Sequence, residues 1–368
     1  MTARVTSGRA TSGRADRLSK RLPDAGVDVV LVTNTVNVRY LTGYTGSNGI
    51  AVVGPETRVF VTDFRYVEQA AAEVEQSFDR RRSPQHLIEG LEDALPPGEL
   101  RLGFEAAHMS VNEHARVREL LPKRIELVAT TGLVEDLRAV KDHGELAAIR
   151  AATELADEAF AVLIAGGLIG RTERDLATAL EFEMRRRGAI RPSFDPIVAA
   201  GPHGALPHAR PREKQIRSGE LVVIDWGAQL EDGYCSDCTR TVASGVVSDV
   251  AREVYELVLD AQLAALEDVK AGAAGREVDA VARSAIQAAG HGDQFGHGLG
   301  HGVGLEVHEA PRLAQRSESV LAVGNVVTVE PGVYVPGEFG VRIEDLVVVT
   351  DDGCEILTSV SKELTVVD

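Results

Sequence analysis

A chain of 368 residues, 44% of them hydrophobic, exceeds one ordinary core and predicts two domains. Its 56 acidic against 39 basic residues leave a formal net charge of -17, which repels phosphate backbones and anionic bilayers and excludes nucleic acid and membrane as principal partners. No run of about 18 apolar residues offers a membrane span, the N-terminus lacks an apolar signal core, and the odd set Cys235, Cys238 and Cys354 makes no disulfide framework, so a soluble, cytoplasmic protein is expected.

Residues 6–15 read TSGRA twice in tandem, a tract too polar to bury a core, and predict a disordered tail over 1–15. Over 16–138, amphipathic helical segments alternate with Val-rich strands such as 29–33, 50–53 and 58–62, the mark of a small α/β domain. Residues 42–49, rich in Gly, Thr, Ser and Asn, read as a loop between strands. The segment 140–145 interrupts the pattern before a helical run over 145–165, with Leu146, Ile149, Ala152 and Ala156 on one face. A domain boundary is expected there, with the second domain at 139–368. Downstream, helices over 172–187, 248–269 and 275–289 alternate with strands over 221–228, 234–243, 325–335 and 340–350, which suggests an α+β layer fold.

Acidic residues stand in those strands where apolar ones belong: Asp225, Asp237, Glu330 and Glu344. Asp225 and Asp237 are symmetric about Glu231, and Glu330 and Glu344 about Gly337, so two hairpins are each expected to set a carboxylate pair face to face. Like charges so placed need a cation. Between the hairpins, Phe295 to Gly304 alternates His297 and His301 with glycines, a binding loop unlike a helical zinc motif. His308 follows shortly, and His208 stands in Leu206-Pro207-His208-Ala209. Any one of these residues alone is more simply structural. Four carboxylates and an imidazole are too many for one tetrahedral zinc, and they suit two hard divalent ions. Cys235 and Cys238 have a CxxC spacing without a second pair and read as packed thiols.

The ordered set Asp225, Asp237, His301, Glu330 and Glu344, in Asp225-Trp226-Gly227, Ser236-Asp237-Cys238-Thr239-Arg240-Thr241, His297-Gly298-Leu299-Gly300-His301, Glu330-Pro331-Gly332 and Arg342-Ile343-Glu344-Asp345, resembles the signature of the pita-bread metallopeptidases. That resemblance implies an α+β pita-bread catalytic domain preceded by a smaller creatinase-type α/β domain. The extra N-terminal domain, with Pro207-His208-Ala209 and His308, points to the Xaa-Pro branch, aminopeptidase P or prolidase. Gly201-Pro202-His203-Gly204 places His203 where relatives often carry Asn. By resemblance, Asp225 chelates one ion, Asp237 and Glu344 bridge both, and His301 and Glu330 complete the other, with a metal-held hydroxide as nucleophile. Manganese is expected from the oxygen-rich ligands, with cobalt and zinc as alternatives. Glu330 is the candidate proton carrier. His208 and His308 are candidate catalytic and substrate contacts, with His297 a weaker contact, and Arg342 is expected to orient a ligating carboxylate. Tyr234 and Arg240 flank Asp237 and either shape the site or simply pack. Arg191, Arg210 and Arg212 are candidate donors to a dipeptide carboxylate. The expected substrates are proline-containing peptides or dipeptides, and the expected assembly is a homodimer. The alternatives are a methionine or general metallo-aminopeptidase and a non-catalytic peptide-binding module.

Overall fold

The computed structural model describes residues 11, 13–84 and 86–368. The chain divides into two compact units, Met1–Arg138 and Ala139–Asp368. Of the tail expected over 1–15, residues 1–10 and 12 lie outside the described residues; Arg14 and Ala15 already belong to the first helix and are buried.

In the first unit, strands β1 (Val29–Val32), β2 (Gly49–Val53), β3 (Arg58–Thr62), β4 (Asp79–Arg82), β5 (Leu100–Glu105) and β6 (Ile125–Thr130) form one mixed sheet in the order β4-β3-β2-β1-β5-β6. Helices α1 (Arg14–Ser19), α2 (Thr35–Thr42), α3 (Val67–Glu73), α4 (Leu91–Ala94), α5 (Val111–Leu120) and α6 (Glu135–Ala139) accompany it. The central strand β1 is buried at every position, which explains its unbroken run of Val and Leu. The charged β4, Asp-Arg-Arg-Arg, lies at the sheet edge, where charge discourages further pairing.

The second unit repeats one theme twice. Helices α7 (His143–Ala165) and α8 (Glu173–Arg187) are followed by β7 (Arg191–Pro192), β8 (Ile197–Ala200), β9 (Glu220–Trp226), β10 (Ala228–Gln229) and β11 (Cys238–Ser244). Helices α9 (Asp249–Asp268) and α10 (Gly275–Ala288) are then followed by β12 (Gly300–Gly302), β13 (Glu309–Leu313), β14 (Val326–Val329), β15 (Gly332–Val335), β16 (Phe339–Arg342), β17 (Asp345–Val349) and β18 (Cys354–Ile356). The main sheets run β11-β9-β8 and β13-β12-β14-β17-β18, with β15 and β16 as a separate ribbon. Among the described residues no helix is long and apolar enough to cross a membrane.

Two cores fix which side chains point inward. Val222, Ile224 and Trp226 of β9 and Cys238 and Val242 of β11 join α7 and α8, where Phe160 stacks on Trp226 at 4.1 Å. The period of two then turns Asp225, Thr239 and Thr241 to the opposite face. In the other half, Val327, Val329, Val341, Ile343, Val347 and Val349 pack against α9 and α10, which leaves Thr328, Glu330, Arg342 and Glu344 on the inner side.

Two expectations change in detail. The strands expected over 325–335 and 340–350 are each broken at their carboxylate. Pro331 has no N–H to give a ladder, the Glu330 N–H donates to Leu299 O at 2.8 Å, and the Glu344 N–H crosses to Thr239 O of the other hairpin at 3.1 Å. Secondly, Asp225 faces Thr239, not Asp237. The turn is centred one residue later than expected, with Gly233 at φ 91°, so Asp237 falls between the Cys238–Trp226 pair and the Ser236–Ala228 bond, opposite Gly227. It therefore meets Asp225 diagonally on the same face. For Glu330 and Glu344 the arithmetic about Gly337 holds: Val335 pairs Phe339 and Val329 pairs Asp345 in one continuous register.

Candidate metal centre

The two hairpins bring their carboxylates together. Oxygens of Asp225, Asp237 and Glu344 all lie within 4.8 Å of one another. His301 Nε2 stands 3.3 Å from Glu330 Oε1 and 3.6 Å from Asp237 Oδ2, which joins all five expected ligands into one cluster. His301 Nδ1 is 3.1 Å from the Gly302 carbonyl. A carbonyl only accepts, so Nδ1 carries a proton, and Nε2 is the ring nitrogen that faces the two carboxylates.

That arrangement is electrostatically incomplete. Burial, opposed by Arg342, raises the carboxyl of Asp225 above its ordinary value. Asp237 and Glu344 are pushed well above theirs, by burial first and then by the neighbouring carboxylates. Glu330 is the exception: burial works against it, but hydrogen bonding and charge from His301, then His297 and Arg342, bring it down to about 2. Asp225 Oδ1 and Glu344 Oε1 are buried without a hydrogen-bond partner. Oxygen-rich donors, two orphaned buried oxygens and an imidazole nitrogen among the carboxylates fit divalent cations.

Around the carboxylates runs a hydrogen-bonded frame. The Arg342 guanidinium donates to Asp225 Oδ2, to Thr239 Oγ1 at 2.9 Å and to the Tyr334 hydroxyl at 2.8 Å. Thr239 Oγ1 passes its own proton to Glu344 Oε2 at 2.8 Å, so one arginine holds Asp225 directly and Glu344 through a hydroxyl. Thr328 Oγ1 likewise donates to Glu330 Oε1 at 3.0 Å while accepting from His301 N. His297 Nδ1 donates to Gly298 O at 2.8 Å, which leaves Nε2 to accept from Tyr334 at 2.9 Å. Both nitrogens of His297 are thereby engaged inside the protein.

His308 stacks edge-on against His301, with ring centroids 4.3 Å apart. Burial of its inner side and the His301 charge hold its imidazole down to about 4, although the residue is open to solvent on the other side. His208 is exposed and stands near both His297 and His308. Tyr234 reaches away to Glu145 Oε1 at 2.9 Å, a packing role. Arg240 touches no side chain of the cluster but donates to the backbone carbonyls of Glu344 and, at 3.0 Å, Thr239, as well as to Ser361 O at 2.9 Å, Val360 O at 2.7 Å and Asp345 Oδ1 at 2.8 Å. Of the arginines near His208, Arg191 bonds Gln229 at 2.6 Å and Arg212 lies beside Glu173, while Arg210 is exposed and makes no ion pair among the described residues. Cys235 and Cys238 are free, and burial pushes the Cys235 thiol up to about 11 and Cys238 well above its ordinary value, so neither is a ready thiolate.

Thr239, Thr328 and Tyr334 were not singled out by the sequence reading. The available signal was spacing: Thr239 lies two residues from Asp237 and Thr328 two from Glu330, on the carboxylate face of each strand.

Against known families, residues 147–351 match the model of metallopeptidase family M24, and residues 14–140 match the creatinase/prolidase N-terminal domain. The chain belongs to metallopeptidase family M24. Its catalytic domain is accordingly a pita-bread fold, with a creatinase-type α/β domain before it. An Xaa-Pro dipeptidase of Pyrococcus furiosus is 39% identical over 95% of this chain and 99% of that protein. The solved Xaa-Pro dipeptidase of Bacillus anthracis superposes with a TM-score of 0.93 at 41% identity, covering 97% of this chain and 100% of that one. The X-Pro aminopeptidase of Thermotoga maritima gives a TM-score of 0.88 at 38% identity, covering 96% and 100% respectively. The five positions expected to hold metal in this M24 chain all fall inside the matched segment.

Proposed function

We propose that this M24 peptidase hydrolyses the bond between an N-terminal residue and a following proline, in dipeptides or at the ends of longer peptides. The observation that carries the reading is the buried carboxylate cluster with its two orphaned oxygens, in a chain whose similar relatives are Xaa-Pro dipeptidases and an X-Pro aminopeptidase. Asp225, Asp237, His301, Glu330 and Glu344 would hold two divalent ions. Manganese suits four carboxylates and one imidazole. When bound, such ions activate water at neutral pH and polarise the scissile carbonyl.

The chain's own side chains supply the remaining steps. Glu330, down to about 2, is a carboxylate at neutral pH; it accepts the proton of the attacking water and returns it to the departing proline nitrogen. His308, with its imidazole at about 4, is neutral at that pH and offers an N–H to the substrate carbonyl oxygen as charge develops there. His208, facing it from the loop after β8, is the second donor. His297, with both nitrogens spent, buttresses Tyr334 and Arg342 instead of touching substrate. Arg342 orients Asp225 directly and Glu344 through Thr239.

Metal-stripped protein reloaded with Mn(II) is expected to cleave Ala-Pro and Ala-Pro-Ala and to leave Met-Ala-Ser untouched. Turnover of Met-Ala-Ser alone would move the assignment to the methionine branch, and bound metal with no turnover of any peptide would leave a peptide-binding module. The family resemblance also carries the expectation of a homodimer. Light scattering on the loaded protein should give twice the 39.3 kDa of one chain, and the single mass would overturn it.

A further inference from the structure

The loop that carries His208 is held from behind by one buried carboxylate. Glu173 opens α8, and its side chain is 0% exposed. Glu173 Oε1 accepts from the Ala200 N–H at 3.0 Å, where β8 ends and the loop begins. Glu173 Oε2 accepts from the Arg212 N–H at 3.0 Å, where the loop returns, and lies 2.8 Å from His203 Nδ1 in its middle. A single carboxylate therefore ties the entry, the middle and the exit of the segment on which His208 stands.

His203 is the only side chain among those three donors, and it is buried. Its Nδ1 has two neighbours, Glu173 Oε2 at 2.8 Å and Arg212 Nε at 3.2 Å. A carboxylate can only accept and a guanidinium only donate, so Nδ1 serves one of them. The Arg212 side chain is 54% exposed and has water to bond; the carboxylate of Glu173 has none. That asymmetry assigns the Nδ1 proton to Glu173. On the opposite side, the loop meets the active-site frame: Arg342 donates to Pro207 O at 3.2 Å, and Gly340 of β16 packs so closely on the Gly204 carbonyl that a Cβ there would overlap it. Displacement of residues 203–207 would therefore be felt both at His208 and at Arg342.

We propose that His203 is a positioning residue: through Glu173 it fixes the His208 loop at the height from which His208 meets the substrate carbonyl. The inference rests on the peptidase reading above. His203 itself touches neither the carboxylate cluster nor the substrate.

The test compares His203→Leu, similar in bulk but without a donor, with His203→Asn, whose Nδ2–H can take over the bond to Glu173. In Mn-loaded protein, the leucine variant is expected to speed amide hydrogen exchange across 201–209 about tenfold and to lower kcat/KM for Ala-Pro by about 10–100-fold, while Mn affinity by calorimetry stays at the wild-type value. Asparagine should restore both readouts. Unchanged exchange and turnover in the leucine variant, an asparagine variant as impaired as leucine, or loss of Mn binding in step with turnover would each overturn the proposal. If leucine prevents folding, His203→Ala against His203→Asn makes the same comparison. A wild-type protein inactive on Ala-Pro defeats the peptidase reading alone, since the exchange measurement still decides what holds the loop.

Discussion

Asp237→Asn is expected to do two opposite things at once: reduce Ala-Pro hydrolysis by far more than the ~100-fold typical of losing an outer-shell partner, and raise the melting temperature of metal-stripped protein. The second effect follows from the charge balance. Asp237 is buried among Glu344, Asp225 and Glu330, and its carboxyl is pushed well above the ordinary range because, without cations, ionising it costs desolvation and like-charge repulsion. Asparagine keeps the shape and removes the charge. Relief on the order of 1–3 kcal/mol is reasonable for one such group, at roughly 2–4 °C per kcal/mol in a domain of this size. With Mn(II) added, the ranking should reverse. Wild type gains about 4 kcal/mol at a thousandfold excess of metal over Kd, whereas the variant gains little. Scanning calorimetry of both proteins with and without Mn(II) reads all four values. If stripped wild type melts above stripped variant, the carboxylates are held together by something other than a missing cation.

The contrast shows which parts of this molecule were legible in its sequence. Carboxylates in strands are costly, so Asp225, Asp237, Glu330 and Glu344 announced themselves against Val-rich surroundings, and the structure brings all four together with His301. The register of the second hairpin could be counted because its turn at Gly337 is tight and regular. The first could not, since its turn is centred one residue later, a two-residue slip that moves Asp237 from opposite Asp225 to opposite Gly227 on the same face, without any apolar pattern to signal it. The frame was less legible still. Thr239, Thr328 and Tyr334 are ordinary strand residues by composition, and their importance arises only when strands distant in sequence are juxtaposed. His203 is a stronger case. Read alone it is a histidine in a glycine-containing loop, and its partner Glu173 looks like an acidic residue in the first turn of a helix. Only the fold shows that both are buried and bonded.

The metal-free and metal-loaded proteins should also respond oppositely to acid. The folded-state values of Asp225, Asp237 and Glu344 are all raised, so the folded metal-free chain binds their protons more tightly than the unfolded one does. Its stability should therefore grow as pH falls from neutral toward the unfolded carboxyl range of about 4. Glu330 has the opposite sign. Its stabilisation is present above its ordinary value of 4.5 and is lost as pH falls through that value toward about 2, so the gain should turn into a loss in that lower window. With Mn(II) bound, the same three raised carboxyls must stay ionised to serve as ligands, and protons compete with the metal. The loaded protein should lose stability over the very interval in which the stripped protein gains it, so that the melting-temperature increment due to Mn(II) shrinks steadily between pH 7 and about pH 4. An increment that stays constant across that interval would mean that Asp225, Asp237 and Glu344 do not bind the ions, and the assignment of all five ligands would have to be abandoned.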